Sequence, residues 1–165
     1  MRFIYIERIE DVIKAHDKVI AISGGLPGVK NIEYIDSVIY QIRNDDYYPE
    51  FEDKLTHLVF SVNKFHAFQD GNKRSSIAVG GLFLELNGFD YVGSRFIREM
   101  ENITVCVAED IIDKDMLWEL IYSIIYEDDF PEELKIRLTH SLLRAQALNL
   151  LKLDDDDDVE FEDVF

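Results

Sequence analysis

Apolar residues recur at helical spacing along almost the whole chain. Ile9, Val12, Ile13, Val19 and Ile20 share one face of a helix over roughly residues 9–22. Ser23-Gly24-Gly25-Leu26-Pro27-Gly28 then breaks that helix. A second stripe, Ile32, Ile35, Val38, Ile39 and Ile42, predicts a helix that ends in the turn-rich Asn44-Asp45-Asp46-Tyr47-Tyr48-Pro49. A third, through Leu55, Leu58, Val59 and Val62, reaches Phe65. Residues 66–73 lack periodicity and read as a loop. The helix that follows, from about Arg74 to Leu86, is rich in small residues (Ser75, Ser76, Ala78, Gly80, Gly81), which allow close approach and predict a central position. Asn87-Gly88 closes it. Further helices are expected over 96–109 and over 114–126, the latter with Asp113 as N-cap. A last helix starts at Pro131-Glu132-Glu133 and runs to about Leu151. Residues 3–6 read as a short strand or a packed extension. The fold class predicted is all-α, a compact helical domain with at most one short strand or flap.

Length bounds this to one domain of 165 residues, with a 47% apolar fraction. The expected organisation is a helical domain over 1–128, a C-terminal helix over 129–151 and an acidic, disordered tail over 152–165. Charge changes the picture more. Seventeen basic residues face 34 acidic ones, a formal net charge of −17. Eight of those acids lie in residues 154–165, so the body is only moderately acidic, with 17 bases against 26 acids. Such a surface argues against a nucleic-acid partner, which needs a basic face, and against docking on anionic membrane. The single cysteine, Cys106, precludes an intrachain disulfide. It is expected to be a buried thiol. The start lacks the pattern of a signal peptide, no apolar run reaches spanning length, and a cytoplasmic location is expected.

The stretch Lys64-Phe65-His66-Ala67-Phe68-Gln69-Asp70-Gly71-Asn72-Lys73-Arg74 runs against the overall charge. Residues 61–76 hold Lys64, Lys73 and Arg74 against Asp70 alone. A glycine turn feeding a helix start offers unpaired N–H groups to an anion. Lys73 and Arg74 add cations there, Asp70 is a hard oxygen ligand for Mg²⁺, and His66 on the other lip is a candidate general base. Singly, each is more often structural. Together they describe a site for transfer from a nucleotide phosphate.

His66-x-Phe68-x-Asp70-Gly71-Asn72-Lys73-Arg74 resembles the signature of the Fic/Doc family, in its Doc (death-on-curing) branch. The helix around His16 with its Ser-Gly-Gly-x-x-Gly turn, and Phe83-Leu84-Glu85-Leu86-Asn87-Gly88, resemble the same branch, so that residues 10–127 follow its pattern in order. The resemblance implies ATP and Mg²⁺ as cofactors and a target protein whose Ser or Thr hydroxyl is modified. It makes His66 and Arg74 catalytic, Gly71, Asn72, Lys73 and Arg74 nucleotide-binding, Asp70 the metal ligand and Phe68 the anchor of the loop. It also implies a target-docking flap before the motif helix, which falls on Tyr47 and Tyr48. The chain departs from the pattern at Ala67, where Pro is usual, and at Phe65, where Asn is frequent.

Position 73 bears on the reaction. Family members with Gly there transfer AMP, whereas the Doc branch has Lys and is understood to pass on the γ-phosphate. Gly71, however, is shared with the AMP-transferring members. Phosphoryl transfer is favoured, with AMP transfer, nucleotide removal and a non-catalytic interaction module as alternatives. The resemblance further implies an antitoxin in trans as inhibitor. Ser123-x-x-x-Glu127 partly meets the pattern of the family's self-inhibitory motif, and the acidic tail is a third candidate inhibitor. His16, on an apolar stripe, is read as structural, His57 and His140 as surface or packing residues, and Trp118 as partly buried core.

Overall fold

The computed structural model describes residues 2–159, with side chains through Lys152. These residues form α1 (Ile9–Ser23), α2 (Ile32–Gln41), α3 (Phe51–Lys64), α4 (Asn72–Leu86), α5 (Gly93–Ala108), α6 (Lys114–Tyr126) and α7 (Glu132–Val159), with one 3-10 turn at Asp90–Val92. The all-α expectation holds: no strand occurs among the described residues, where the β-type pairing is an isolated antiparallel bridge between Val29 and Phe68. The chain divides into two units, the first ending at Phe130 and the second beginning at Pro131.

In the first unit α3 is central. It packs against α4, α6, α2 and α5, while α4 packs against α3, α5 and α1. Phe51, Leu55, Leu58, Val59 and Val62 are buried on α3, and so are Thr56, His57, Ser61 and Asn63, so this helix is enclosed on every side. The small residues of α4 do what the sequence predicts. A Cβ on Gly80 would lie 2.8 Å from the Phe96 ring and 2.9 Å from Val59, so a side chain there would push α3 and α5 away. Two helix starts are capped by side chains: Glu50 and Asp53 form a reciprocal capping box on α3, and the Asp113 carboxylate accepts the Met116 N–H at 2.8 Å on α6.

Residues 3–6 form a packed extension rather than a strand. The Asn87 side chain accepts the Ile4 N–H at 2.8 Å and donates to the Ile4 carbonyl at 2.9 Å, an amide standing in for a strand neighbour. Ile6 is buried beyond it.

The start of α3 is held by an ion that helical periodicity does not single out. Lys54 is fully buried. Its Nζ donates to the Ile42 carbonyl at 2.8 Å, to Asp45 at 2.7 Å and to the Tyr48 carbonyl, which uses all three donors. The rings of Phe3 and Tyr5 lie 5.5 and 5.7 Å from it. Lys54 thereby ties the end of α2, the 44–48 turn and the extension to α3. Nearby, His57 is a packing residue. It stacks on Tyr48 and lies 2.8 Å from the Gln41 carboxamide oxygen and 2.7 Å from Lys114 Nζ. Burial and then the Lys114 charge push its pKa down to about 4. Cys106 is buried as expected, which raises its thiol pKa.

The second unit consists of α7, whose Ile136, Leu142, Leu143, Leu148, Leu150 and Leu151 are exposed. Its backbone stays helical to Val159, past the expected end near Leu151. Extending a helix already nucleated adds a hydrogen bond per residue, which offsets the poor helix propensity of aspartate. The remainder of the expected disordered tail, residues 160–165, lies outside the described residues. No helix of the described residues is long and apolar enough to cross a membrane.

Lys54→Met should lower stability by about 2–4 kcal/mol, because it leaves buried carbonyls without their charged donor. Urea unfolding measures this; a loss under about 0.5 kcal/mol, the size of a surface substitution, would show that the ammonium is dispensable.

Candidate functional site

The loop between α3 and α4 begins at His66, whose φ of +48° is a left-handed conformation uncommon outside glycine. Ala67 and Phe68 after it are buried, while His66 and Gln69 are exposed. Burial obliges the backbone groups of Ala67 and Phe68 to find partners. The connection between α1 and α2 supplies those of the Ala67 carbonyl. The N–H groups of Lys30 and Asn31 donate to the Ala67 carbonyl at 2.7 and 3.0 Å. Gln69 donates its N–H to the Gly28 carbonyl at 3.0 Å, and the Asn31 side chain reaches the His66 carbonyl at 3.3 Å. Phe68 is served from α4: Asn72 accepts its N–H at 3.1 Å and donates to its carbonyl at 3.0 Å. The Phe68 ring lies parallel to that of His16, with centroids 3.8 Å apart.

Gly71 ends the loop with φ +75° and is the N-cap of α4. Its carbonyl accepts the first helical bond, from the Ser75 N–H at 2.9 Å. The N–H groups of Asn72, Lys73 and Arg74 precede that bond and have no acceptor within the helix, so the positive end of α4 faces the loop. Asp70 stands at this end. Its Oδ2 accepts the Leu26 N–H at 3.1 Å and its Oδ1 the Gly71 N–H at 2.7 Å. Those two bonds, the Leu26 one foremost, hold its carboxyl below the ordinary carboxylate pKa; the Arg74 and His16 charges act the same way against partial burial. Lys73 is exposed, with no partner for its ammonium among the described residues. Arg74 donates to the Gly24 carbonyl at 3.1 Å.

This is a candidate anion site, with one carboxylate set at the helix start and one exposed imidazole at the other end of the loop. No group of three or more His, Cys, Asp or Glu among the described residues is placed to hold a metal ion. The donor set therefore does not suit a protein-caged metal. It suits Mg²⁺, which needs one carboxylate and takes its other oxygens from phosphates and water.

Comparison with known proteins agrees with this geometry. Residues 5–84, from the extension to the end of α4, match the model of the Fic/DOC family. Over 103 residues the chain is 33% identical to "Protein kinase doc" of Escherichia phage P1, covering 60% of this chain and 79% of that protein. Over 117 residues it is 31% identical to "Toxin Doc" of Mycolicibacterium smegmatis, covering 68% and 87%. The chain belongs to the Fic/DOC family. Its relatives place it in the Doc branch.

The structure brings His66, Phe68, Asp70, Gly71, Asn72, Lys73 and Arg74 of this Fic/DOC chain into one loop and helix start. It does not bring Lys64 there: Lys64 donates to the Val107 carbonyl and to Asp110, at the end of α5. Nor does it bring Tyr47 and Tyr48. They precede the first residue of α3, and the 14 residues of that helix, about 20 Å, lie between them and the loop. Tyr47 is 77% exposed, and Tyr48 packs on His57. The segment that does lie along the motif loop is 24–31. Sequence reading took its glycines as a helix break, yet they mark the close approach. A Cβ on Gly25, where φ is +123°, would sit 2.7 Å from Asp70 Oδ2 and 3.2 Å from Arg74 Nη2. Ser123 and Glu127 are engaged at the end of α6: the carbonyls of Ser123, Ile124 and Glu127 accept from Arg95, and the Ser123 hydroxyl donates to the Asp129 carbonyl.

Gly25→Ala should cost about 1–3 kcal/mol, as left-handed strain and overlap with Asp70 both oppose it. Gly81→Ala, in the middle of α4 with nothing within 4 Å of its Cβ, should instead gain up to about 1 kcal/mol. Thermal melts of the two variants in parallel test this; equal midpoints would mean that the 24–31 segment is not seated on Asp70.

Proposed function

We propose that this chain is a Doc-like toxin enzyme that transfers the γ-phosphoryl group of ATP to a Ser or Thr hydroxyl of a cellular protein. The observation that supports phosphoryl over AMP transfer is Lys73. An ammonium at the first turn of α4, unpaired among the described residues, takes up phosphate space that a glycine would leave open, and its charge suits the terminal phosphate. His66 takes the proton of the target hydroxyl as that oxygen bonds to phosphorus and the bond to the leaving diphosphate breaks. Its ring is exposed, so that a protein substrate has access.

Asp70 would hold Mg²⁺, its carboxylate fixed by the Leu26 and Gly71 N–H groups. Magnesium, when bound, neutralises charge on the phosphate oxygens. Gly71 and the N–H groups of Asn72, Lys73 and Arg74 cradle the phosphates. The Asn72 side chain shapes that nest through Phe68, and its contribution to phosphate is its main chain. Arg74 adds a planar guanidinium suited to paired phosphate oxygens. The flap that lines up the target is the 28–31 segment, since it pairs with residues 66–69, rather than Tyr47 and Tyr48.

His66→Ala should reduce transfer by at least about 100-fold while leaving the affinity for Mg-ATP unchanged, because the base acts on the hydroxyl and not on the nucleotide. With a target in hand, γ-labelled ATP should mark it and α-labelled ATP should not. Label from the α-phosphate would establish AMP transfer instead, and no label with either would favour a binding module.

Inhibition is assigned to an antitoxin in trans, presenting an acidic group to Arg74. Ser123 and the Glu127 carbonyl serve to lock the end of α6, and Arg74 bonds to Gly24. ATP turnover should therefore be alike in the full chain, in Glu127→Gly and in a chain ending after Leu153. A rise in Glu127→Gly would establish self-inhibition, and a rise on truncation would assign that role to the acidic end.

A further inference from the structure

His16 is placed behind the cradle, on α1, and the arrangement around it reaches further than packing. Its side chain is fully buried on the face that carries Val12. An apolar residue would satisfy that position if volume alone mattered. Instead the ring makes two polar contacts, Nε2 at 2.7 Å from the Asp70 carbonyl and Nδ1 at 3.3 Å from the Asp17 carboxylate. A carbonyl oxygen only accepts, so Nε2 carries the proton of that bond. The ring cannot swing away to another partner, because it lies 4° from parallel with the Phe68 ring at 3.8 Å.

The bond falls on the peptide that joins Asp70 to Gly71. Its carbonyl points into α1 towards His16, so its N–H points the other way, to Asp70 Oδ1 at 2.7 Å. The same peptide plane therefore sets two things: which way the backbone dipole faces, and where one oxygen of the Asp70 carboxylate rests. Gly71 is the residue best able to tolerate a flip of that plane, since it has no Cβ and already sits at φ +75°. A flipped peptide would turn a carbonyl towards the phosphates and withdraw an N–H from the carboxylate. Tight packing opposes the flip as well, as a Cβ on Gly71 would meet Ile20 Cδ1 at 3.0 Å and His16 Nε2 at 3.7 Å.

We propose that His16 is a positioning residue of the cradle: its Nε2–H holds the Asp70–Gly71 peptide in the one orientation that presents the Asp70 carboxylate and the α4 N-terminus to a nucleotide's phosphates. This rests on the phosphoryl-transfer reading of the site and adds α1 to its machinery. His16 touches neither the hydroxyl nor the phosphates.

His16→Met fills the space without a donor, and His16→Gln returns an N–H donor at similar reach. Three quantities should be measured on each: the melting temperature, the amide resonances of Gly71 and Asn72, and Mg-ATP affinity together with kcat/KM for transfer. His16→Met should shift the Gly71 amide and weaken Mg-ATP binding and kcat/KM by about 10–100-fold, the usual effect of losing a group that orients a ligand. His16→Gln should recover both to within a few-fold of wild type. If His16→Met does not fold, His16→Phe, which keeps the ring stack and drops the donor, replaces it.

The proposal is overturned if the donor-less variant keeps the wild-type Gly71 resonance and Mg-ATP affinity. It is equally overturned if His16→Gln is no better than His16→Met at equal melting temperature. Failure of the wild-type protein to label any target would count against the functional reading instead. The Gly71 resonance and Mg-ATP binding would still decide the role of His16.

Discussion

Ala67 and Phe68 are buried in a loop that belongs to no helix or sheet, and much of the candidate site depends on how their backbone groups are paired. A buried unpaired amide or carbonyl costs about 1–3 kcal/mol. The cost is reduced by borrowing partners from two directions: Lys30 and Asn31 of the α1–α2 connection serve the Ala67 carbonyl, and Asn72 of α4 serves Phe68, while Gly24, Leu26 and Gly28 of the same connection hold Arg74, Asp70 and Gln69 beside them. Each partner also positions something chemical. The bonds to Ala67 fix where His66 emerges from α3, those of Asn72 join the loop to the first turn of α4, and Leu26 orients the Asp70 carboxylate. This pairing also accounts for a loop that keeps its shape with Ala67 where proline is usual. Two N–H groups on the Ala67 carbonyl do by hydrogen bonding what a pyrrolidine ring does by restricting φ.

A chain of net charge −17 nevertheless gathers positive groups at the start of α4. The contributions are local: the open N–H groups of α4, Lys73, which is unpaired among the described residues, and Arg74. Screening confines surface charges to a range of about 8–10 Å at physiological salt, so the net charge of the whole chain says little about the field at one helix end. The acid inside the cradle, Asp70, is kept ionised by hydrogen bonds rather than by an ion pair. That leaves Lys73 without a neutralising partner among the described residues. Lys64 belongs to a different account, since its ammonium closes the end of α5.

The two ends of α3 are specialised. At its start, Lys54 gathers the end of α2, the 44–48 turn and the N-terminal extension around one buried ammonium. At its end, the chain leaves in a left-handed turn and exposes an imidazole. Burial of α3 on all sides makes the helix a rigid bar between these functions. The small residues of α4 let that bar lie close enough for Asn72 to reach the Phe68 backbone. A larger residue at Gly80 would separate α4 from α3 and α5 and loosen the cradle from a distance.

Helix positions, the close packing of the small residues of α4, the Asp113 cap and the cluster from His66 to Arg74 were all legible in the sequence. These are properties of local spacing: a 3.6-residue stripe, a run of small residues, a motif contained in nine positions. The family was legible for the same reason. What lies opposite that motif was not, because it is set by which segments meet across some 40–50 residues of chain. The Gly24-Gly25 turn reads as a break until Asp70 and Arg74 are seen against it. Tyr47 and Tyr48 read as a flap until α3 is seen to carry them to its other end. His16 reads as structural, Lys54 is singled out by no pattern, and only the fold reveals their partners. Backbone carbonyls have no letter in a sequence, so a side chain whose purpose is to bind one can be recognised only in three dimensions.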